Sequence, residues 1–396
     1  MILIKNAKIY TMNSSDEIIS YGYIAVKNGK ISDVGKMPFD SAEKIDEVVD
    51  AEGLVVMPGL IDAHSHLGII GDSLGFESDD LNEITDPVLP QLNAIDAVNP
   101  MDRYFKEAYS AGVTTVAAGP GSANAIGGTA IAMKTFGRRI DDMVIKSPVA
   151  IKMALGENPK CCYHPKGDAP ETRMSTASLI REQLTKASRY LEAMDEYNNA
   201  PDKDEAEKPE YDAKCEALVP LLRGQIPAHI HAHRADDIFT AIRLAKTFGF
   251  KYKIVHCTEG HLISDILGEE KCEAFIGPVI GDRSKPELKN FSPKTAAILS
   301  KSGVKVAIVT DHPELVSQYL LLSAEICHHC GMDYMESLRA VTINPAQMLG
   351  IDSIVGSVEK GKDADLVFFR GDISYHTVDK VMINGNFCDI CPPYEK

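Results

Sequence analysis

The sequence predicts an α/β fold: a (β/α)8 TIM-like barrel with a small β-sandwich domain formed by the two ends of the chain. Three observations support this prediction. Apolar strand-like segments alternate with helical segments through the middle of the chain, which implies a parallel sheet. About eight such strands fit in this length, which favours closure into a barrel. Both ends are rich in short strands, and 44% of the 396 residues are hydrophobic, enough for a large core.

The two ends of the chain are predicted to share one domain. Residues 1–57 contain short apolar runs, two of them separated by Asn28-Gly29, which is a strong hairpin signal. Residues 350–396 contain a similar pattern, and neither end has enough strands to bury a core alone. We therefore expect residues 1–57 plus 350–396 to form the composite β-sandwich and residues 58–349 to form the barrel.

The elements of the barrel follow in order. Strands are expected at 54–64, 113–118, 129–135, 149–155, 228–233, 252–257, 273–278 and 305–311, and helices at 99–111, 176–198, 235–248, 292–302 and 314–331. Residues 118–130 are rich in Gly and leave little room for a helix between their strands. Residues 195–216 are dense in charge and are expected to form a solvated excursion between helices.

Charge and composition exclude several classes of partner. The chain has 41 basic and 57 acidic residues, a formal net charge of −16, so neither nucleic acid nor an anionic membrane is an expected partner. No basic-then-apolar leader and no apolar run of membrane-spanning length is present. The nine cysteines are odd in number and scattered. Reduced thiols and a cytoplasmic location are therefore expected.

The segment 58–66 carries the most informative motif. It reads Pro-Gly-Leu-Ile-Asp-Ala-His-Ser-His and follows an apolar run, so its two histidines lie where a buried strand ends. Residues i and i+2 of a strand point the same way, and His64 and His66 therefore direct both imidazoles to one point. Imidazole is a preferred ligand of zinc-like ions. A pair of partly buried structural histidines is the alternative interpretation.

Further metal-capable side chains end later predicted strands. In a TIM-like barrel, functional groups collect at the carboxyl ends of the strands. Four separate strands are therefore expected to present such groups at one mouth of the barrel. Besides the first two histidines, the residues at these strand ends are His231, His233, His256 and Asp311.

Taken in order, these motifs resemble the amidohydrolase superfamily of metal-dependent hydrolases. The matching parts are the segment 57–66, the later histidines and aspartate, Ile343-Asn344-Pro345-Ala346, and the segment 356–367. The resemblance covers essentially the whole chain. It is strongest to the imidazolonepropionase-related and dipeptidase-like branch, and it implies that the barrel is a metal-dependent catalytic domain.

The resemblance also implies a ligand set. His64, His66 and Asp311 would hold a first ion, and His231 and His256 would hold a second. One or two divalent ions are expected, Zn²⁺ first, with Mn²⁺ or Fe²⁺ as alternatives. The implied metal ligands are His64, His66, Lys152, His231, His256 and Asp311.

Lys152 is the candidate for a carboxylated lysine that bridges two ions, as often occurs in binuclear members of the family. It stands at the end of an apolar strand, where desolvation depresses the pKa of an amine and leaves the neutral form that captures carbon dioxide. The alternative is an ordinary lysine that faces solvent or pairs with Glu157. If Lys152 is not carboxylated, the site would hold one ion, and Glu157 is then a candidate to take part in that site.

Three residues near the strand ends are predicted to contact a small-molecule substrate: His233, Arg234 and Glu157. Arg234 has a guanidinium suited to clamping a carboxylate, but pairing with Asp236 or Asp237 is an alternative. A homo-oligomer is also expected, because such assemblies are common in this superfamily.

The implied reaction is hydrolysis of a C–N bond in an amide, a cyclic amide or a dipeptide. A divalent ion would supply hydroxide at neutral pH, and Asp311 would act as general acid and base. A deaminase of a nitrogen heterocycle is the first alternative. Such enzymes usually carry Glu three residues after the histidine of the fifth strand, whereas Arg234 stands there. A non-catalytic scaffold is the second alternative, and it would be expected to lose metal ligands.

Overall fold

The computed structural model describes residues 1–72, 75–203, 206–375 and 377–391. Residues 204 and 205 of the predicted charged excursion lie outside the described residues, as do residues 376 and 392–396 of the predicted terminal domain. Within the described residues, the strands form two eight-stranded sheets.

The first sheet combines strands from both ends of the chain. Its amino-terminal strands are β1 (Ile2–Tyr10), β2 (Ile18–Lys27), β3 (Lys30–Lys36), β4 (Glu47–Asp50) and β5 (Val55–Pro58). The strand β5 pairs in parallel with β1 and antiparallel with the first carboxyl-terminal strand, Leu366–Phe369, so it joins the two ends. Ile4, Val56 and Phe368 are buried in one shared apolar cluster. The boundaries of the two domains remain a prediction.

The second sheet is a nearly closed barrel, as the sequence predicts. Its eight strands are neighbours in chain order, and the first and last meet where Asp311 N donates a hydrogen bond to His64 O (3.1 Å). Its strands are β6 (Leu60–Ser65), β7 (Val113–Ala118), β8 (Ile126–Lys134), β9 (Val144–Ala154), β10 (Ala228–Ala232), β11 (Tyr252–His256), β12 (Glu273–Ile276) and β13 (Lys305–Ile308). The carboxyl-terminal strands of the first sheet follow as β14 (Leu366–Phe369), β15 (Val378–Ile383) and β16 (Asn386–Phe387).

The expectation of an all-parallel barrel is wrong at β8. This strand runs antiparallel to both β7 and β9. Parallel neighbours need a crossover of about a dozen or more residues, and the Gly-rich connection 119–125 is too short to supply one. The turn after β7 therefore returns the chain directly, and it leaves the 119–125 loop at the mouth of the barrel.

The helices flank the barrel strands. The helix α6 has the predicted bounds, 235–248, and α4 extends the predicted 176–198 by a few residues at its start. Among the described residues, no helix is both long enough and apolar enough to cross a membrane. The α-helices are α1 (Arg103–Ser110), α2 (Ile140–Met143), α3 (Glu157–Tyr163), α4 (Arg173–Asn199), α5 (Ala213–Leu222), α6 (Ala235–Phe248), α7 (Ser264–Glu269), α8 (Thr295–Lys301), α9 (Leu320–His329), α10 (Tyr334–Arg339) and α11 (Ile343–Leu349). Short 3₁₀ helices occupy Phe76–Ser78, Ala94–Asp96, His164–Lys166, Gly260–Ile263, Pro286–Leu288, Ser317–Tyr319 and Ile373–Tyr375.

A buried ion pair links the barrel to the terminal sheet. Lys134 of β8 pairs with Asp365, and its Nζ lies 3.0 Å from Asp363 Oδ2. Removing one partner of a buried pair costs about 3–5 kcal/mol because an uncompensated charge remains. Lys134→Ala is therefore expected to lower the free energy of unfolding by that amount in urea titrations.

Lys30→Ala is the matched control for this prediction. Lys30 also pairs with Asp363, at 2.7 Å, but its side chain is exposed. An exposed pair contributes about 1 kcal/mol or less. Equal effects of the two substitutions would contradict a structural role for the buried lysine.

Candidate metal centre

Histidine and aspartate side chains from β6, β10, β11 and the end of β13 converge at one mouth of the barrel. They form two groups whose ligand atoms lie within 4.8 Å of one another in each group. The first group is His64, His66 and Asp311, and the second is His231, His233 and His256.

The first group is centred on the carboxylate of Asp311. Its Oδ1 lies 3.2 Å from His64 Nε2 and 3.2 Å from His66 Nε2. Asp311 has a φ of 56°, a left-handed conformation that is unfavourable for a residue other than Gly. The hydrogen bond from Asp311 N to His64 O (3.1 Å) fixes the backbone at this position, next to the two imidazoles.

Electrostatics favour the metal-binding protonation state in this group. Burial lowers the pKa of His64 well below its usual value, and the charge of Lys152 lowers it further. Burial by itself raises the pKa of Asp311, but the contacts of its carboxylate with His256, His64 and His66 outweigh that effect and hold the pKa well below its usual range. A neutral imidazole beside an ionised carboxylate is the form that ligates a divalent ion.

The second group consists of three closely packed imidazoles. The ring centroids of His231 and His256 are 4.5 Å apart, and the His233 ring stacks on that of His256 at 4.6 Å. Burial lowers the pKa of His231 and of His233 well below the usual value, and it lowers the pKa of His256 to about 4. The three rings are therefore neutral at pH 7.

The far nitrogens of these histidines are held by other parts of the chain. His66 Nδ1 lies 2.7 Å from Gly119 O, and His256 Nδ1 lies 2.7 Å from Gly277 O. Because a carbonyl only accepts, each Nδ1 carries the proton and each Nε2 is free to bind an ion. His231 Nδ1 and His233 Nδ1 lie 2.9 and 2.7 Å from Ser122 Oγ and Thr258 Oγ1, respectively.

Sequence reasoning missed this supporting role of the 119–125 loop. Its glycines, without a Gly-Lys-Ser/Thr motif or a following helix, predict a mobile loop at the rim of the barrel and no nucleotide-binding role. In the structure, Gly119 and Ser122 contact two of the histidines instead. No motif signals such contacts, because they depend on the antiparallel course of β8.

Lys152 lies on β9 among these groups. Its side chain is 2% exposed, and its Nζ lies 3.4 Å from His64 Nε2. Burial lowers the pKa of Lys152 to about 8, against an opposing contribution from Asp311. The structure therefore does not support the alternative of a solvent-facing lysine.

A buried carboxylate that the sequence did not indicate also reaches the centre. Glu287 lies in the 3₁₀ helix Pro286–Leu288, and its side chain is 1% exposed. Its Oε1 lies 3.8 Å from His231 Nε2 and 3.6 Å from His233 Nε2. Glu287 follows no strand directly and belongs to no recognisable motif, so sequence reasoning had no signal for it.

The three predicted substrate contacts have different surroundings. His233 lines the cavity at the mouth of the barrel and belongs to the second histidine group. Arg234 forms a double hydrogen bond with Asp236, as the alternative interpretation anticipated, and its side chain is 41% exposed. Glu157 contributes its backbone N–H to Glu287 Oε2 (3.1 Å). Arg234 and Glu157 are not among the residues lining the cavity, so the substrate contacts assigned to them remain predictions.

The cavity above the centre is suited to a small molecule. It has a volume of about 620 Å³ and opens above His66, His231, His256 and Asp311. Pockets for small ligands typically range over about 300–1,000 Å³. Apolar Ile280 and Phe291 line its wall.

Comparisons with known proteins agree with this arrangement. A sequence profile of the amidohydrolase family matches residues 228–388. The crystal structure of an amidohydrolase from Thermotoga maritima MSB8 superposes with a TM-score of 0.92 at 39% sequence identity, over 98% of this chain and 99% of that chain.

Curated relatives match smaller shares of their own length. The amidohydrolase tasK of Hapsidospora irregularis is 29% identical over 416 residues, which cover 93% of this chain and 41% of tasK. A 5-methylthioadenosine/S-adenosylhomocysteine deaminase of Bacillus thuringiensis (strain Al Hakam) is 48% identical over 62 residues, or 16% of this chain and 14% of the deaminase. The chain therefore spans less than half the length of these two relatives.

The near-complete match to the Thermotoga structure decides the family, and it confirms the predicted resemblance to the superfamily. The chain belongs to the amidohydrolase superfamily, whose members are hydrolytic enzymes that act on carbon–nitrogen bonds.

Proposed function

We propose that this protein is a metal-dependent hydrolase that cleaves a C–N bond in a small amide, cyclic amide or dipeptide. The observation that carries the proposal is the contact of one carboxylate oxygen of Asp311 with Nε2 of both His64 and His66, at 3.2 Å each. Two buried imidazoles and one largely buried carboxylate at that spacing, next to a cavity of about 620 Å³ that His66 and Asp311 line, suit one divalent ion with room for substrate.

The residues present fit a metal centre. His64, His66 and Asp311 would hold the first ion, and His231 and His256 would hold the second. The buried Nε2 atom of His231 has no hydrogen-bond partner within the described part of the chain, and a buried polar atom without a partner normally implies a missing ligand or water. Zn²⁺ suits this set of imidazole and carboxylate donors.

Divalent ions held there would polarise a substrate carbonyl and lower the pKa of water. Asp311 then has the catalytic proton-transfer role. Its carboxylate is ionised, because its pKa is held well below the usual range, so it can accept a proton from attacking water. The same carboxyl group can return that proton to the leaving nitrogen.

Lys152 is proposed to be carboxylated and to bridge the two ions. Its amine is buried beside His64 at 3.4 Å, and no carboxylate partner of its Nζ is found within the described residues. Since burial lowers its pKa to about 8, a sizeable fraction of the amine is neutral near pH 8 and is able to react with carbon dioxide.

A substrate screen tests the proposed reaction. Dipeptides, N-acyl amino acids and cyclic amides are incubated with protein reconstituted with Zn²⁺ or Mn²⁺, and new amines and carboxylates are quantified. We expect turnover of at least one class, its loss in a chelator and its return on adding metal. Activity that persists without metal would contradict the proposal.

Deamination of a nitrogen heterocycle is the second candidate, because Glu287 lies near the histidines and would provide the acid that Arg234 cannot. Arg234 occupies the position where deaminases of the superfamily carry Glu, but Glu287 brings a buried carboxyl group within 3.8 Å of His231. Burial raises the pKa of Glu287, against an opposing effect of Lys285. The short match to a methylthioadenosine deaminase also favours this candidate. Release of ammonia from aminoheterocycles, without amide cleavage, would identify it.

A further inference from the structure

We propose that Glu287 and His233 are metal ligands that complete the second site together with His231 and His256. This inference rests on the proposed function, because it requires a metal centre at this mouth of the barrel. It adds a carboxylate from the segment after β12 and reassigns His233 from substrate to metal.

The first argument is the set of unpartnered atoms. Glu287 Oε1, His231 Nε2 and His233 Nε2 are all buried, and none has a hydrogen-bond partner within the described part of the chain. Leaving one buried polar group unsatisfied costs about 1–3 kcal/mol. Glu287 Oε1 also has an ion pair with Lys285 Nζ at 3.3 Å, but among the described residues the two imidazole nitrogens have no partner of either kind other than Glu287 itself. All three atoms are accounted for together if each is a ligand of one ion.

The second argument is spacing. Glu287 Oε1 lies 3.6 Å from His233 Nε2 and 3.8 Å from His231 Nε2, too far for good hydrogen bonds. Ligands about 2.0–2.2 Å from one zinc ion are separated from one another by about 3–4 Å, depending on the coordination number. Both distances are therefore within the range expected for two ligands of one ion.

The third argument is that Glu287 is held in this orientation by contacts on its other side. Its Oε2 accepts a hydrogen bond from Glu157 N at 3.1 Å. Gly156 leaves the space for this contact: a Cβ there would lie 2.9 Å from Oε2, and its φ is +84°. Supporting contacts of this kind are typical of metal-ligating carboxylates.

The charge balance also accommodates the assignment. Lys285 Nζ lies 3.3 Å from Glu287 Oε1. The positive charge of this lysine therefore offsets the buried negative charge of Glu287 even when no metal ion is bound. Lys285 also donates a hydrogen bond to Asn158 Oδ1 at 2.9 Å. Because it keeps this second partner at the cavity wall, Lys285 can release Glu287 to an ion without being left unpaired.

Metal stoichiometry and affinity test the inference directly. Wild type, Glu287→Gln and His233→Asn are loaded with Zn²⁺, freed of excess metal by gel filtration and assayed for zinc per chain, and the affinity of each ion is measured by competition with a chromophoric chelator. Two ions per wild-type chain are expected. Each variant should bind the second ion at least 10-fold more weakly and the first ion as in wild type. Glu314→Gln, which alters an exposed carboxylate lining the same cavity, should bind both ions normally.

The outcomes separate this inference from the proposed function. Wild-type protein without zinc would overturn the proposed function itself. A single ion in wild type would overturn both this assignment and the bridging role of Lys152, whereas two ions with unchanged affinity in Glu287→Gln would overturn only the assignment of Glu287. Unchanged affinity combined with lost turnover would instead identify Glu287 as an acid toward substrate. Circular dichroism of each variant checks folding, and the visible spectrum of Co²⁺-loaded His233→Asn reports loss of a ligand if Glu287→Gln does not fold.

Discussion

Replacing Asp311 with Asn is expected to lower kcat by about 10²- to 10⁴-fold, the usual contribution of a general acid–base group. Most of the bound metal should remain, because the amide oxygen can still coordinate and His64 and His66 are unchanged. The physical reason is the position of the carboxylate, within 3.2 Å of both imidazoles and at the floor of the cavity. Steady-state kinetics and zinc content measured on the same sample check both parts of this expectation.

Asp282→Asn is the matched control for Asp311→Asn. Asp282 is an exposed aspartate that lines the same cavity, so the substitution makes the same chemical change without touching the histidine groups. Its kcat should stay within a few-fold of wild type. Equal kcat in Asp311→Asn and wild type would remove Asp311 from the mechanism, and complete loss of metal would reduce its role to ligation.

Replacing Lys152 with Ala is expected to lower the metal content from two ions per chain toward one and to reduce turnover with it. The buried amine, 3.4 Å from His64 Nε2, has the position a bridging carbamate would need. Short-chain carboxylates such as acetate should restore part of the second ion and part of the activity, since they can occupy the space left by the side chain and supply bridging oxygens.

Two measurements make the Lys152→Ala prediction specific. Wild-type protein exchanged with ¹³C-labelled bicarbonate should show a carbamate signal in NMR spectra, and Lys152→Ala should lack it. Acetate should restore metal to Lys152→Ala but not to Glu287→Gln, in which a terminal ligand is altered instead of the bridge. Two tightly bound ions in Lys152→Ala would refute the bridging role.

The fold was largely predictable because its signals are local. Most barrel strands contain an apolar run of suitable length, and α6 has a strong helical pattern that ends at Gly249 in the left-handed conformation. The direction of β8 was not predicted, since strand propensity is the same for parallel and antiparallel neighbours. Only the length of the 119–125 connection distinguishes them.

Residues of the candidate site were likewise predictable where the signal is local and not where it depends on how loops pack. His64, His66, His256 and Asp311 lie at or just beyond strand ends, where side-chain alternation and the rule for barrel mouths locate them. Glu287 lies in a short 3₁₀ segment, and its approach to His233 follows from how the loop packs. Arg234 is the opposite case. Its position next to His233 suggests a substrate contact, whereas in the structure its guanidinium donates a hydrogen bond to Asp236.

The central claim is that this mouth of the barrel is a metal centre, and elemental analysis of protein purified without chelator tests it most directly. We predict two divalent ions per chain, chiefly zinc, reduced by a strong chelator and restored by added Zn²⁺ together with activity. Protein that contains no zinc, manganese or iron, and that binds none when these ions are supplied, would contradict the claim and favour a non-catalytic scaffold.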